Sequence, residues 1–355
     1  MILLVVSCPC ALTISTPVSM ASAITAASRN GVLVKGGKYL ESLARVKTFV
    51  FDKTGTLTTG KLKVADLVSF SSSPDEVLQL AASLESMSEH PIARAIVERA
   101  KEERLVPMPV RMFSSIRGRG VEGTIGDRKI VMGNQELFQK MPDKVLDKIQ
   151  ELQSQGKTTV LLAVGNEIVG LIALKDMVKD VARSIVKELK TRGVQPAIIS
   201  GDNQVTTAAL AKEVGVDHYH AELLPDEKLE EIVHLRAKYG NVAMVGDGVN
   251  DAPALAKANV GIAMGVLGSD VSIETADIAL MRDELSKIPY ILDLSRNTVR
   301  VIKQNITASI LVKGAFALLA IPGLVTLALA VGVGDMGLSL AVILNAMRLG
   351  LVRAR

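Results

Sequence analysis

The chain has 355 residues, with 41 basic against 37 acidic side chains and 48% apolar residues. That balance excludes a disordered chain, and a net charge of +4 is too small to imply a nucleic-acid partner. The apolar residues are unevenly spread: residues 1–28 carry no charge, and between Gln304 and Met347 only Lys313 and Asp335 do, which argues against both a purely soluble and a purely membrane-embedded protein.

Residues 1–28, as a helix rising ~1.5 Å per residue, reach about 42 Å, enough to cross a hydrocarbon core about 30 Å thick. Arg29, Lys35 and Lys38 follow. Positive flanks mark the cytoplasmic side, so Met1 is expected to face outward. No basic residue precedes the apolar run, which argues against a signal peptide. Cys8-Pro9-Cys10 falls near mid-depth, where Pro9 is expected to break the helix and free a carbonyl. Two thiolates there suit Zn, Cd, Pb or Cu(I), although a buried cysteine is also a common apolar residue. With one residue between them, Cys8 and Cys10 are expected to make only a strained, disfavoured disulfide.

Residues 30–295 are rich in charge and read as the cytoplasmic portion. Three apolar runs end in Asp and turn residues: Thr48–Phe51 before Asp52, Ala197–Ser200 before Gly201-Asp202, and Val242–Val245 before Gly246-Asp247. Helix-like stretches such as Gln204–Val214 and Pro253–Lys257 follow. This is the pattern of a parallel α/β sheet, whose crevice lies at the carboxyl ends of the strands. Asp52, Asp202, Asp247 and Asp251 are therefore expected to converge. Carboxylates gathered in one crevice repel unless a cation neutralises them, and hard oxygen ligands favour Mg²⁺. Helix capping explains one or two of these aspartates but not the whole set.

An insertion over residues 61–170 has its own helices (Asp75–Met87 and Pro91–Arg104) and strands (Lys129–Met132 and Thr158–Val164). Within it Gly118-Arg119-Gly120-Val121-Glu122-Gly123 fits G-x-G-x-x-G, but the residues after it, Thr124–Met132, read as strand and not helix, so it is no Rossmann fingerprint. No Walker sequence is present. Beyond Arg296, Arg300 and Lys303, one helix is expected to about Leu319, a turn at Ile321-Pro322-Gly323, and a second helix from about Thr326 to Met347, with both ends cytoplasmic. Lys313 and Asp335 lie ~20 Å from basic anchors, at similar depth. An ionisable group there costs at least ~2.5 kcal/mol and usually lines a pathway, though a purely structural Lys–Asp pair is the alternative.

Asp52-Lys53-Thr54-Gly55-Thr56-Leu57-Thr58 resembles the phosphorylation motif of P-type ATPases, and Gly246-Asp247-Gly248-Val249-Asn250-Asp251-Ala252-Pro253 resembles their second signature. Cys8-Pro9-Cys10 with Ser88-Glu89-His90-Pro91 is similar to the heavy-metal-transporting subgroup. Lys313 and Asp335-Met336-Gly337, ahead of Asn345-Ala346-Met347-Arg348-Leu349, are similar to its zinc/cadmium/lead exporters. The resemblance implies a haloacid-dehalogenase-like α/β phosphorylation domain (29–60 and 171–295), an inserted α+β nucleotide-binding domain (61–170), a Cys-Pro-Cys transmembrane helix (1–28) and a transmembrane hairpin (296–355). It implies a multi-pass protein of the prokaryotic plasma membrane that exports a divalent heavy-metal cation at the expense of ATP. A copper(I) pump, a membrane-tethered phosphatase and an inactive remnant are the alternatives. Against the family, the chain is expected to be the carboxy-terminal part of a pump, without the actuator domain and first membrane helices, which a partner half would supply.

By the same resemblance Asp52 is the nucleophile for the γ-phosphate of ATP. Lys53, Ser200, Gly201, Asp202, Lys228, Asn250 and Asp251 surround the phosphate, and Mg²⁺ is held by Asp52, Asp247 and the Thr54 carbonyl. Glu85, His90, Gly118 and Gly120 are the nucleotide residues, with the glycines admitting the backbone close to the base; His90 ahead of Pro91 also reads as an ordinary helix start. Cys8, Cys10 and Asp335 hold the transported ion, and Lys313 pairs with Asp335 when the site is empty. Related soluble phosphatases carry an acid–base Asp two residues after the nucleophile. Here Thr54 stands there, so a phosphorylated chain is expected to turn over slowly.

Overall fold

The computed structural model describes residues 8–116, 118–138, 140–247, 251–265, 274–282 and 284–352. In chain order its elements are α1 (Cys10–Arg29), β1 (Val32–Val34), α2 (Gly37–Ala44), β2 (Thr48–Asp52), β3 (Thr58–Ser69), α3 (Pro74–Glu85), α4 (Pro91–Glu102), β4 (Val110–Ile116), β5 (Gly120–Ile125) and β6 (Arg128–Gly133). There follow α5 (Asp143–Ser154), β7 (Thr158–Val164), β8 (Glu167–Val178), α6 (Ala182–Thr191), β9 (Gln195–Ile199), α7 (Gln204–Val214), β10 (His218–His220), α8 (Pro225–Tyr239) and β11 (Val242–Gly246). The last are α9 (Ala252–Lys257), β12 (Val260–Ala263), β13 (Ile278–Leu280), α10 (Lys287–Ala320) and α11 (Leu327–Leu351). The chain divides into two compact units, residues 1–52, 183–197 and 224–355, and residues 53–182 and 198–223.

The first unit holds the strand order β1-β13-β12-β11-β2, continued by the start of β9. β2, β11, β12 and β13 are parallel neighbours, and β1 closes the edge antiparallel to β13. Every residue of β2 and β11 is buried, as expected of strands covered on both faces. The parallel arrangement brings Asp52 and Gly246 to the same end of the sheet, with Val245 beside Phe51.

The second unit contains the antiparallel sheet β3-β8-β7-β6-β5-β4. One face packs Leu80, Leu84 and Ile96 of α3 and α4 against Ile130, Leu162 and Leu174, and the other packs Val145, Ile149 and Leu152 of α5 against Leu161, Leu171 and Ala173. The stretch Thr124–Met132 forms two strands, not one, because Gly126 takes φ +60° and reverses the chain into a hairpin. β3 and β8 pair from Thr58↔Val178 to Ser69↔Gly170, so the inserted sheet begins and ends a few residues outside 61–170.

In the first unit, α1 begins at Cys10 with Pro9 as its N-cap. Two helices, Cys10–Arg29 and Leu327–Leu351, are long and apolar enough to cross a membrane. The expected third span is the far half of α10, a single helix of 34 residues that runs on through Arg296, Arg300 and Lys303. Those charges change the solvent preference of its surface without interrupting its backbone. Asn305, Ser309 and Lys313 dilute the apolar character of this half. Gly323 ends the turn at φ +76°, and Thr326 caps α11 by accepting from Leu329 N. Residues 332–337 of α11 form a π-helical segment around Asp335, a local under-winding within a continuous helix.

A Cβ on Gly120 would collide with the Met132 carbonyl oxygen of the neighbouring strand, whereas one on Gly165, at a turn with φ +61°, meets open space. Gly120→Ala is therefore expected to destabilise the full chain by roughly 2–4 kcal/mol, and Gly165→Ala by about 1–2 kcal/mol. Thermal unfolding in detergent compares them, and equal losses would show that the β5–β6 approach has room to spare.

Candidate active site

The first unit carries a compact charge cluster at the ends of its strands. Asp52 ends β2 and is 4% exposed; Asp251, at the start of α9, is 2% exposed. Lys228 on α8, 176 residues along the chain from Asp52, donates to Asp52 Oδ1 at 2.6 Å and to Asp251 Oδ1 at 2.7 Å. Asp247 lies close enough for its charge to act on both carboxyls. Helix capping does not account for Asp251: it stands at the N-cap of α9 but makes no side-chain cap bond. Gly246 admits it, since a Cβ there would lie 2.9 Å from Asp251 Oδ2. Asn250 lies outside the described residues.

One ammonium among three carboxylates leaves the cluster short of positive charge. Burial pushes the Asp52 carboxyl up to about 6, Asp251 pushes the same way, and Lys228 only partly offsets them. Asp251 is raised by burial as well, against the pull of Lys228. Burial draws the Lys228 ammonium down, but the two carboxylates more than reverse this and hold it above its ordinary value. A divalent cation would relieve the deficit. Among the described residues no three His, Cys, Asp or Glu side chains gather as a ready-made metal cage.

The second unit begins with the rest of the phosphorylation motif. Lys53 pairs with Asp202, and Asp202 N donates to Ser200 Oγ at 3.0 Å. Gly201 lies between them, where a Cβ would sit 3.3 Å from Leu223 O. The 53–58 turn requires Gly55 at φ +72°, with Thr54 exposed at its start. Thr58 locks the turn: its hydroxyl donates to Asp176 Oδ2 at 2.6 Å, lies 3.0 Å from Lys53 O and accepts from Gly55 N at 3.3 Å. Lys179 Nζ reaches Gly55 O at 3.0 Å. Burial raises the Asp176 carboxyl, and the Thr58 bond offsets part of this. Asp176 did not stand out in the sequence. The available signal was a lone acid near the end of an apolar strand, 118 residues from its partner.

Also in this unit, Glu85, Ser88, His90, Gly118, Gly120 and Asn134 line a cavity of about 330 Å³. The sequence candidates Glu85, His90, Gly118 and Gly120 are thus brought together. Glu85 is buried, its carboxyl is raised by that burial against a bond from Ser88, and its Oε2 has no hydrogen-bond partner among the described residues. A buried oxygen left open toward a cavity fits a ligand with amino donors, such as adenine. His90 caps α4 through Nδ1, which accepts from Ile92 N at 3.3 Å, so its helix-start role and its place at the cavity coexist. Gly120 borders the cavity, and its lack of a side chain also lets Met132 and Gly133 of β6 approach its backbone. Gly118, at φ +73° with open space around it, keeps the expected freedom.

In the membrane helices of the first unit, Lys313 donates to Asp335 Oδ1 at 2.9 Å and to the Cys8 carbonyl. Pro9 O accepts from Thr13 N, so the carbonyl left to Lys313 is that of Cys8. Contrary to expectation, Cys8 and Cys10 form a disulfide. The turn at Pro9 (φ −82°, ψ 32°) holds their Cα atoms 5.5 Å apart, within the ordinary range for a bridge. Thiolate ligation at this position requires its reduction.

The chain belongs to the haloacid dehalogenase-like hydrolases, whose family model matches residues 46–259. Within that family its likeness is to the metal-transporting P-type ATPases. It is 46% identical to a probable cadmium-transporting ATPase of Alkalihalophilus pseudofirmus and 45% identical to a cadmium-transporting ATPase of Staphylococcus aureus, in both cases over 98% of this chain and 49% of the relative. The crystal structure of a zinc-transporting PIB-type ATPase in its E2.Pi state matches with a TM-score of 0.91 at 39% identity, covering 97% of this chain and 56% of that one. The chain spans about half the length of the curated relatives it matches.

Folded Asp52 keeps its proton to about pH 6, against 3.8 for an ordinary aspartate. The folded state thus binds more protons across that window, and the stability this group contributes is full below 3.8 and lost as pH rises through 6. Asp52→Asn, which stays neutral, is expected to be more stable than wild type at pH 7.5 by roughly 1–3 kcal/mol, the gap closing toward pH 4. Unfolding midpoints across that range measure it; a less stable variant at pH 7.5 would contradict the charge deficit.

Proposed function

We propose that this chain carries the phosphorylation, nucleotide and ion sites of an ATP-driven exporter of divalent heavy-metal cations in the prokaryotic plasma membrane, with residues 30–295 on the cytoplasmic side. The observation that carries the reading is the buried Asp52 carboxylate, bridged by Lys228 to Asp251 and short of positive charge. An Asp52 oxygen attacks the γ-phosphorus of ATP, the bond from that phosphorus to the bridging oxygen breaks, and ADP leaves with the electron pair. An ionised carboxylate needs no general base for this; it needs an incoming polyanion to be neutralised. Lys228 lies within reach of an Asp52 oxygen to do so, with Lys53 next in the chain. Mg²⁺ bound by Asp52, Asp247 and the Thr54 carbonyl would supply the remaining positive charge. Glu85 and His90 orient the base in the cavity that Gly118 borders.

In the membrane, Lys313 occupies Asp335 while no ion is bound. Cys8 and Cys10, as reduced thiolates, together with Asp335 suit Zn²⁺, Cd²⁺ or Pb²⁺. The cation takes over the carboxylate from Lys313, and Asp52 phosphorylation changes the side to which the site opens. The names of the cadmium- and zinc-transporting relatives support this choice of ion.

Incubating the chain with γ-labelled ATP and Mg²⁺ is expected to give an acid-stable, hydroxylamine-labile label that Asp52→Asn abolishes. Absence of label in a chain that binds nucleotide would sink the proposal. Thr54→Asp restores an acid–base two residues from the nucleophile and is expected to shorten the lifetime of that label by about 10²-fold or more in a chase with unlabelled ATP. An unchanged lifetime would show that a missing acid–base at residue 54 does not limit hydrolysis.

A further inference from the structure

Hydroxyls inside a helix usually bond back to the preceding turn. Thr13, Thr25 and Thr298 do so here, donating to Pro9 O, Ala21 O and Leu294 O at 3.0, 2.8 and 2.7 Å. Ser15 and Ser19 of α1 and Ser309 of α10 do not. They are 0%, 0% and 2% exposed, and their Oγ atoms have no hydrogen-bond partner among the described residues. An unsatisfied buried hydroxyl costs about 1–3 kcal/mol, and the penalty is not relieved by lipid. Three of them in helices of one membrane bundle point to water.

Their spacing is ordered. Ser15 and Ser19 are one turn apart on α1. On α10, Lys313, Ser309 and Asn305 follow one another at four-residue steps, and so share one face. Two bonds set α1 against α10: Lys313 Nζ to Cys8 O, and Tyr290 Oη to Ala26 O at 3.1 Å. Between these fixed points Ser15 falls near the level of Asn305. The buried Asn305 donates to Val342 O at 3.3 Å and accepts from Asn345 of α11 at 2.8 Å, and Lys313 meets Asp335 of the same helix. The polar groups therefore form successive rungs. Cys8, Lys313 and Asp335 make the deepest, Ser309 follows, then Ser15 with Asn305 and Asn345, then Ser19. Beyond them stand the helix ends bearing Arg29, Arg300 and Arg348.

We propose that Ser15, Ser19, Asn305, Ser309 and Asn345 form a hydrated column connecting the Cys8/Lys313/Asp335 site to the basic ends of the helices, and that a hydrated divalent cation travels along it. Its role in ion transfer rests on the pump reading above; its water content does not. Hydroxyl and amide oxygens are neutral donors. They replace part of a cation's hydration shell without trapping it, which is what a passage requires, whereas the charged rung at its inner end is where the ion is held.

Two measurements test this. In a Cys8→Ser/Cys10→Ser background of the full chain in lipid nanodiscs, Ser15→Cys and Ser309→Cys place a near-isosteric thiol in the column. Ala346→Cys (0% exposed) and Leu311→Cys (67% exposed, on the apolar outer surface) serve as controls. A small cationic methanethiosulfonate, which reacts with hydrated thiolates, is expected to modify positions 15 and 309 at least tenfold faster than 346 and 311. Equal rates would overturn the column. On the unsubstituted chain in bilayers, water-edited solid-state NMR is expected to show polarisation reaching the Ser15, Ser19 and Ser309 side chains at least threefold faster than Leu311; no difference would overturn it as well. A hydrated column in a chain that never labels at Asp52 would uphold the column and reject the pump.

Discussion

Lys228 is the residue on which the charge cluster at the end of the parallel sheet depends. One ammonium bridges two buried carboxylates, Asp52 and Asp251, while a third, Asp247, adds its charge. Without that bridge, two adjacent carboxylates would lie inside a sheet end covered on both faces. With it, the cluster is tolerable, but the Asp52 carboxyl is still held above its ordinary value. The parallel pairing of β2 with β11 exists at this end to deliver Asp52 beside Gly246, and the missing side chain at Gly246 lets Asp251 tuck in. Strand pairing and glycine placement thus set a buried carboxylate whose ionisation is displaced upward, to about 6.

The membrane helices repeat this device. Lys313 covers Asp335 and the Cys8 carbonyl, so an intramembrane acid is paired with a lysine. The π-helical segment at 332–337 carries Asp335 without ending α11. In both places the fold holds a carboxylate against a lysine. The lysine lowers the cost of burial while leaving the carboxylate available to a cation.

Much of this was legible in the sequence, for physical reasons that differ from place to place. Asp52, Asp202 and Asp247 could be found because a parallel strand buried on both faces is a short apolar run, and such runs end at a crevice. Lys313 and Asp335 could be paired because charge is rare enough in an apolar helix for depth to be counted from basic anchors. Long-range contacts were not legible: nothing local ties Thr58 to Asp176, and that bond holds the turn after the nucleophile. The Thr124–Met132 hairpin was hidden because Gly126-Asp127 sits among residues that all favour strands. Reading a Cys8–Cys10 bridge as strained and disfavoured ignored the compact turn at Pro9. The close approach of β6 to Gly120 was not legible either, because a glycine motif in sequence does not say which strand packs beside it.

The central claim is that Asp52 is a charge-starved carboxylate awaiting a cation. Its most direct test is a ¹³C NMR titration of the Asp52 side-chain carboxyl in the intact chain, with and without saturating Mg²⁺. The account predicts a midpoint near 6 in the absence of the ion, moving down toward or below the ordinary 3.8 in its presence. A midpoint at the ordinary value that ignores Mg²⁺ would contradict it.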